Sequence, residues 1–110
     1  MWKQFTGDKR VVKELSNGKT IHVFRLYVVG RAPNSVQAIN NLREICKTYL
    51  DGCHEIELID IFEEPLRAVE DGVLATPTLV RVSPPPEVKI IGNLSERKKV
   101  LAMLGLEEPG

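Results

Sequence analysis

Apolar residues follow two different spacings along this chain, and the two spacings alternate. Residues 21–29 form an almost continuous run of β-branched and aromatic side chains, which is typical of a strand covered on both faces. Arg25 interrupts the run. We expect its side chain either to extend its charged end to solvent or to form an ion pair. Apolar side chains then recur three and four positions apart, which predicts a helix with one buried stripe. That stripe consists of Val36, Ile39, Leu42, Cys46 and Tyr49.

Turn and capping residues indicate where these elements begin and end. Pro33 suits the opening of the first helix, and residues 34–37 match a capping box in which Asn34 accepts a hydrogen bond from the Gln37 amide. The pair at 51–52, Asp-Gly, ends that helix. The remaining predicted elements are strands at 55–62, 78–82 and 87–91, a short helix at 65–70 and a last helix at 96–104 that Ser95 caps.

The order β-α-β-α-β-β-α predicts an α/β fold of the thioredoxin-like type. Two strands joined through a helix are expected to be parallel, and the last two strands form a hairpin, which gives a four-stranded mixed sheet with the first strand central. We assign residues 20–106 to this domain, residues 1–19 to an N-terminal extension and residues 107–110 to a C-terminal tail. Asn17-Gly18 is a hairpin signal, but a full hairpin would compete for the edges of the central strand.

Composition narrows the classes of function. Fifteen basic and fifteen acidic residues give the 110-residue chain no net charge, which argues against nucleic-acid binding driven by bulk charge. No apolar run approaches the roughly 20 residues that span a bilayer, and the first residues lack an apolar signal-peptide core, so we expect a cytoplasmic protein with no membrane partner. Cys46 and Cys53 fit neither a redox nor a zinc spacing and are expected to be free thiols.

The strand-to-helix turn at 29–35 has the frame of a redox site without its thiols. Thioredoxin-type oxidoreductases place a Cys-x-x-Cys pair at such a turn, and the later "LATPTL" resembles the Thr-Pro turn that faces the pair, with the Thr76–Pro77 bond expected cis. Here the turn reads Ala-Pro-Asn-Ser, and no nucleotide-binding glycine motif or metal-ligand spacing occurs elsewhere. The residues alone therefore predict a non-catalytic domain with no cofactor and no metal, and they favour protein binding.

Four stretches identify a family. "LYVVGRAPNSVQAINNL", "LIDI" followed by a proline, "VLATPTLVRVSPPP" and "KIIGNLSERKKVL" together resemble the KaiB family of circadian-clock proteins over about residues 23–104. The resemblance implies a non-catalytic regulator that binds the N-terminal ring of KaiC, a hexameric ATPase. It places the partner-binding residues on the first helix and at the end of the second strand. Our candidates are Arg31, Asn34, Gln37, Asn41, Glu57 and Asp60.

The resemblance also implies a second fold. Family members interconvert between the thioredoxin-like form and a β-α-β-β-α-α-β form that self-associates to dimers or tetramers, and the second half of the chain rebuilds. Many members read "LIGLD" where this chain reads "LAMLG", so that Met103 replaces the family glycine and a glycine follows two positions later, at 105. Methionine is a better helix former than glycine, and glycine at 105 suits a helix end, so both changes favour a helix at 96–104. The residues expected to matter for this switch are Thr76, Pro77, Pro84, Pro85, Pro86, Met103 and Gly105.

Departures from the family pattern keep other partners open. Cyanobacterial members carry basic residues where this chain has Gln37, Asn40, Glu57 and Glu63, so we expect a matched KaiC-like ATPase of a different lineage. The resemblance also makes a KaiA-like protein a candidate partner. Two alternatives remain: a KaiB-like sensor module acting with a histidine kinase, and a diverged oxidoreductase, against which the missing Cys-x-x-Cys counts heavily.

Overall fold

A computed structural model describes residues 13–14 and 19–106, with side chains from residue 19 onward. Its strands are β1 (Lys13–Glu14), β2 (Thr20–Val28), β3 (His54–Asp60), β4 (Thr78–Ser83) and β5 (Val88–Ile91), and its helices are α1 (Pro33–Tyr49), α2 (Pro65–Glu70) and α3 (Arg97–Leu104). Apart from β1, this is the predicted order with boundaries shifted by one or two residues.

Strand β2 lies at the centre of the sheet. It runs parallel to β3, from the pair His22 and His54 to the pair Val28 and Asp60, and antiparallel to β4, which pairs in turn with β5. The predicted thioredoxin-like α/β fold is confirmed. The short β1 pairs only with Thr20 and Ile21, before β3 and β4 begin their own pairing, so it does not compete for the edges of β2. The turn proposed at Asn17-Gly18 lies outside the described residues.

Alternate side chains of the sheet build two separate cores. Phe24, Leu26 and Val28 face α1 and α3, and the buried residues of those helices complete that core. Tyr27 and its neighbours Ile59 and Val80 face the other way and pack with Ala68 of α2. The sheet is therefore a middle layer, and α2 lies on the opposite face from α1 and α3.

Helix α1 begins differently from the prediction. Its N-cap is Ala32, no side chain caps it, and Asn34 is exposed inside the first turn, so the predicted capping box is wrong. Proline at the first helical position has no N–H, so the start of the helix has one unpartnered donor fewer. The predicted stripe is also shifted: Leu42 and Cys46 are buried as expected, whereas Val36 is 41% exposed. Ser35, Ala38 and Ile45 occupy the remaining buried positions.

Helix α3 is fixed at its start by Arg97 and ends at a glycine. At its start Arg97 lies 3.1 Å from Glu44 of α1 and stacks over the Tyr49 ring, and the N-cap is Glu96 with no side-chain hydrogen bond, so Ser95 is not the predicted cap. At its end Gly105 adopts the left-handed conformation that favours glycine after a helix, as Gly105 was predicted to do.

Arg81 connects the end of α3 to the proline turn. Its guanidinium donates to the Leu104 carbonyl at 2.6 Å and to the Pro86 carbonyl at 3.1 Å, and only 6% of the residue is exposed. The last carbonyls of a helix have no partner within the helix, and a cation there is favourable. Arg81 thus joins β4, the turn at 84–86 and α3. The predicted cis bond at Thr76–Pro77 is confirmed, and the Ser83–Pro84 and Pro85–Pro86 bonds are cis as well.

We expect Arg81→Leu to lower the free energy of unfolding by about 2 kcal/mol, because two charge-assisted hydrogen bonds are lost and the Leu104 carbonyl loses its partner. Urea unfolding measures the change. Lys98→Leu, an exposed position on α3, is the control and should change stability by less than about 0.5 kcal/mol. Equal effects of the two substitutions would contradict this account of Arg81.

A second prediction concerns pH. Burial lowers the pKa of His22 below its usual 6.5, and the nearby positive charge of Arg81 lowers it further. A histidine that binds its proton more weakly when folded contributes stability that is complete above the unfolded pKa and declines as the pH falls below it. The free energy of unfolding should therefore decrease from pH 7 to pH 5, and less steeply in His22→Gln. Parallel pH profiles of the two proteins would show that His22 is not responsible.

Candidate partner-binding surface

The turn between β2 and α1, where a redox protein would hold its thiols, carries a structural serine. Ser35 is 1% exposed, and its hydroxyl oxygen accepts a hydrogen bond from the Val29 N–H at 3.1 Å. The hydroxyl therefore fastens the helix to the preceding strand and is not presented to solvent as a nucleophile. Arg31 and Asn34, the two candidates that precede Ser35 in this turn, are both exposed. The turn offers polar contacts at its surface and no reactive group.

The two cysteines lie far along the chain from this turn and are free. Cys46 is in the last turn of α1 and fully buried, and that burial raises the pKa of its thiol to about 12. Cys53 follows in the loop before β3 and is partly buried. A thiol with such a raised pKa carries almost no thiolate at neutral pH, so Cys46 has the properties of a core residue.

Asp60 organises the end of β3 next to the turn. One carboxylate oxygen accepts the Phe62 N–H at 2.8 Å, and the other accepts the Gly30 N–H at 3.2 Å. Asp60 thus links the ends of β2 and β3, and it places Arg31 and Asn34 at the same edge of the sheet. Among the residues that the structure describes, no three His, Cys, Asp or Glu side chains form a group that could hold a metal ion.

Gln37 and Asn41 belong to a polar network that the sequence did not indicate. The Asn93 side-chain amide donates to the Gln37 side-chain oxygen at 2.8 Å. The Asn41 side-chain amide donates to the Asn93 backbone carbonyl, also at 2.8 Å. The Asn93 side-chain oxygen accepts the Ser95 N–H at 3.0 Å, which holds the loop between β5 and α3 against α1. Two cavities border this loop, of about 110 and 150 Å³. They are smaller than typical small-molecule pockets.

Glu57 lies on the other face of the sheet. Its carboxylate accepts a hydrogen bond from Arg67 of α2 at 2.8 Å and lies 3.7 Å from Arg25. The hydrogen bond from Arg67 is the largest cause that lowers the pKa of Glu57. Arg25 in turn forms an ion pair at 3.1 Å with Asp71, whose side chain is 5% exposed, so the expectation that Arg25 pairs is confirmed.

Tyr27 completes this network beneath α2. Its hydroxyl donates a short hydrogen bond to Asp71 and lies 3.2 Å from the Arg67 carbonyl oxygen. Burial, followed by the hydrogen bond to the Asp71 carboxylate, raises the pKa of Tyr27. Asp71 was not among the candidates named from the sequence; an arginine inside an apolar strand was the signal that a carboxylate lies nearby.

The six candidates therefore occupy three areas. Arg31, Asn34 and Asp60 share the edge at the ends of β2 and β3. Gln37 and Asn41 lie along α1, on the same face of the sheet as α3. Glu57 is on the α2 face, so the sheet separates it from Gln37 and Asn41.

No described helix is long and apolar enough to cross a membrane.

Comparison with known proteins identifies the family. A family model described as the KaiB domain matches residues 25–106. A circadian clock oscillator protein KaiB from Prochlorococcus marinus is 46% identical over 90 residues, covering 82% of this chain and 84% of the relative. The KaiB of a Picosynechococcus species is 49% identical over 88 residues, covering 80% of this chain and 85% of the relative.

Solved structures show the same fold at low identity. The N-terminal domain of Synechococcus elongatus SasA superposes with a TM-score of 0.66 at 14% identity, covering 99% of both chains. Mitochondrial thioredoxin 3 from Saccharomyces cerevisiae, in its oxidized form, gives a TM-score of 0.62 at 21% identity and covers 77% of this chain and 78% of its own. The similarity to thioredoxins is thus one of architecture, whereas close sequence identity extends over the KaiB domain, and the chain belongs to the KaiB family.

Proposed function

We propose that this protein is a non-catalytic regulator that binds the N-terminal ring of a KaiC-like hexameric ATPase in a circadian-clock or clock-derived timing system. The observation that carries the proposal is the β2–α1 turn of a KaiB-family chain. It retains the thioredoxin frame, but its one hydroxyl, on Ser35, is buried and bonded to the backbone. A turn built in this way offers shape and polar contacts to a protein partner and no nucleophile.

The proposed contact combines the strand-end edge with the exposed side of α1. Arg31, Asn34 and Asp60 lie at the edge, and Gln37 and Asn41 extend the surface along α1 to Asn93. Hydrogen bonds fix Asp60, Gln37 and Asn41 before binding, which lowers the entropy that these side chains lose in a complex. We add Asn93 to the candidates because both α1 residues depend on it for their orientation.

We also propose that the isolated chain rests in the thioredoxin-like form, so that binding does not have to wait for refolding. Met103 lies within α3 and Gly105 terminates it in the left-handed conformation. A glycine inside a helix makes the helix less stable by about 1 kcal/mol than a good helix former does. When two folds are nearly equal in free energy, a difference of that size changes the ratio of their populations several-fold. In a change to the second fold of the family, the segments expected to change conformation include Thr76, Pro77 and the prolines at 84–86.

Glu57→Lys tests how far the contact extends around β3. If the ATPase reaches the α2 face, the substitution should slow association and change its salt dependence, because a charge at the rim of an interface acts mainly on the encounter rate. Surface plasmon resonance against the purified ATPase at several salt concentrations measures both. Glu87→Lys makes the same change at an exposed position after the proline turn and should leave both quantities unchanged. Identical kinetics for the two variants would confine the contact to the edge and α1.

The oxidoreductase alternative is tested by insulin reduction. We expect no turnover above the rate of the reductant alone, because disulfide exchange needs an attacking and a resolving thiol, and burial raises the pKa of the Cys46 thiol to about 12. Cys46→Ser and Cys53→Ser should be indistinguishable from the parent protein. Turnover that either substitution abolishes would overturn the non-catalytic assignment.

A further inference from the structure

Helix α2 leaves large apolar side chains in solvent on the face opposite α1. Leu66 and Val69 of the helix are 74% and 72% exposed. Phe62, in the turn before the helix, is 76% exposed, and Leu74, just after it, is 95% exposed. Single exposed apolar residues are ordinary on protein surfaces, but four within thirteen consecutive residues form a concentration of a kind that marks interaction sites.

The backbone holds these four side chains around one short helix. Leu66 and Val69 are three positions apart and therefore share the side of α2 that faces away from buried Ala68. The turn containing Phe62 leads into the helix and is fixed by Asp60, and the Val73 N–H bonds back to the Ala68 carbonyl at 2.9 Å, which keeps Leu74 close to the helix end. We call Phe62, Leu66, Val69 and Leu74 the α2 patch.

The α2 patch is set on a rigid base. Arg67, the residue between Leu66 and Ala68, is bound to Glu57 of β3, and Asp71 at the helix end is bound to Arg25 and Tyr27 of β2. These polar contacts orient α2 so that its apolar residues must point outward. A surface that is ordered before binding retains more of its contact energy as affinity.

Carboxylates outnumber cations around the patch. Residues 57–74 contain six carboxylates and a single arginine, although the whole chain has no net charge. Glu63, Glu64 and Glu70 are exposed beside the patch, and Arg67 is occupied by Glu57 and Glu64. One cation reaches the far end: the Lys89 ammonium lies 3.2 Å from the position where a side chain on Gly72 would begin.

We propose that the α2 patch is a second protein-docking surface, and that it binds a partner segment whose apolar side chains are flanked by lysine or arginine. The apolar residues supply contact area, and the carboxylates beside them select a basic rim on the partner. The surface lies across the sheet from Gln37 and Asn41, so the two surfaces can be occupied at the same time. This inference does not depend on the proposed binding of the ATPase.

The same charges disfavour two other occupants. Anionic lipid headgroups attract basic segments, and the carboxylates beside the patch would repel them. A second copy of this chain, joined patch to patch about a two-fold axis, would bring its acidic rim against the same acidic rim. A basic protein segment meets neither repulsion.

Two synthetic peptides test the proposal. They have the same length and the same leucine positions in an amphipathic helix, and they carry either lysine or glutamate at the polar positions. Titration into the ¹⁵N-labelled protein should shift amide signals in residues 57–74 with the lysine peptide, and the glutamate peptide should bind at least tenfold more weakly. Raising the salt concentration should weaken binding of the lysine peptide.

Substitutions separate the apolar and the charged contributions. Leu66→Ser combined with Val69→Ser should weaken binding of the lysine peptide at least tenfold without changing the melting temperature, because both side chains are already in solvent. Glu63→Gln combined with Glu70→Gln should weaken it severalfold and flatten its salt dependence. Val36→Ser, an exposed apolar position on α1, is the matched control and should change the affinity by less than twofold.

Four results would each overturn the proposal: no binding of the lysine peptide at millimolar concentration, equal binding of both peptides, amide shifts confined to α1 and α3, or no effect of the Leu66 and Val69 substitutions. Two further results would assign the patch to the other occupants. One is a concentration-dependent dimer that the Leu66 and Val69 substitutions abolish, and the other is patch-dependent binding to phosphatidylserine vesicles in place of the peptide.

Discussion

Strand β2 is paired along both edges and covered on both faces, and the rest of the molecule is arranged around this constraint. A strand in that position exposes little, so burial of a charged or hydroxyl side chain on it is costly unless the side chain finds a partner inside the protein. Arg25 and Tyr27 are such side chains, and both find Asp71. The carboxylate that satisfies them ends α2, which means that the position of a peripheral helix is set by the needs of the central strand.

The two faces of the sheet use arginine in parallel ways. On one face Arg25 of β2 binds the residue that follows α2, and on the other Arg81 of β4 binds the last carbonyl of α3. Each arginine joins a short helix, of six and eight residues, to the sheet. Helices of that length are marginal on their own, so they depend on tertiary contacts of this kind. The guanidinium suits the task because it remains charged and presents several donors in a fixed plane.

The sequence predicted most of the architecture and less of the surface. Continuous apolar runs and the positions of glycine and proline located four strands and three helices, because burial and backbone geometry leave strong local signals. Capping was predicted wrongly at Asn34 and Ser95, since proline at the first helical position and an irregular loop replaced side-chain caps. Asn93 and Asp71 escaped notice because their roles depend on contacts across 52 and 46 residues of chain, which no local pattern encodes. The resemblance named Glu57 together with the α1 residues, and the hydrogen bond from Arg67 shows that its side chain faces α2.

The distribution of these contacts bears on the second fold that KaiB resemblance implies. Strands β2 and β3 and helix α1 share a parallel pairing and much of one core. Helix α3 adds Val100, Leu101 and Leu104 to the same core, and its C-terminal end is fixed by Arg81 and by the left-handed Gly105. A rebuilt second half would have to give up those three side chains and leave Arg81, which is 6% exposed, without its carbonyl partners. Unpaired buried charge is costly, so rebuilding must either expose Arg81 or supply it with new acceptors. Were this chain to adopt that second fold, the balance between the two folds would depend on where Arg81 finds its hydrogen bonds as well as on helix propensity at Met103.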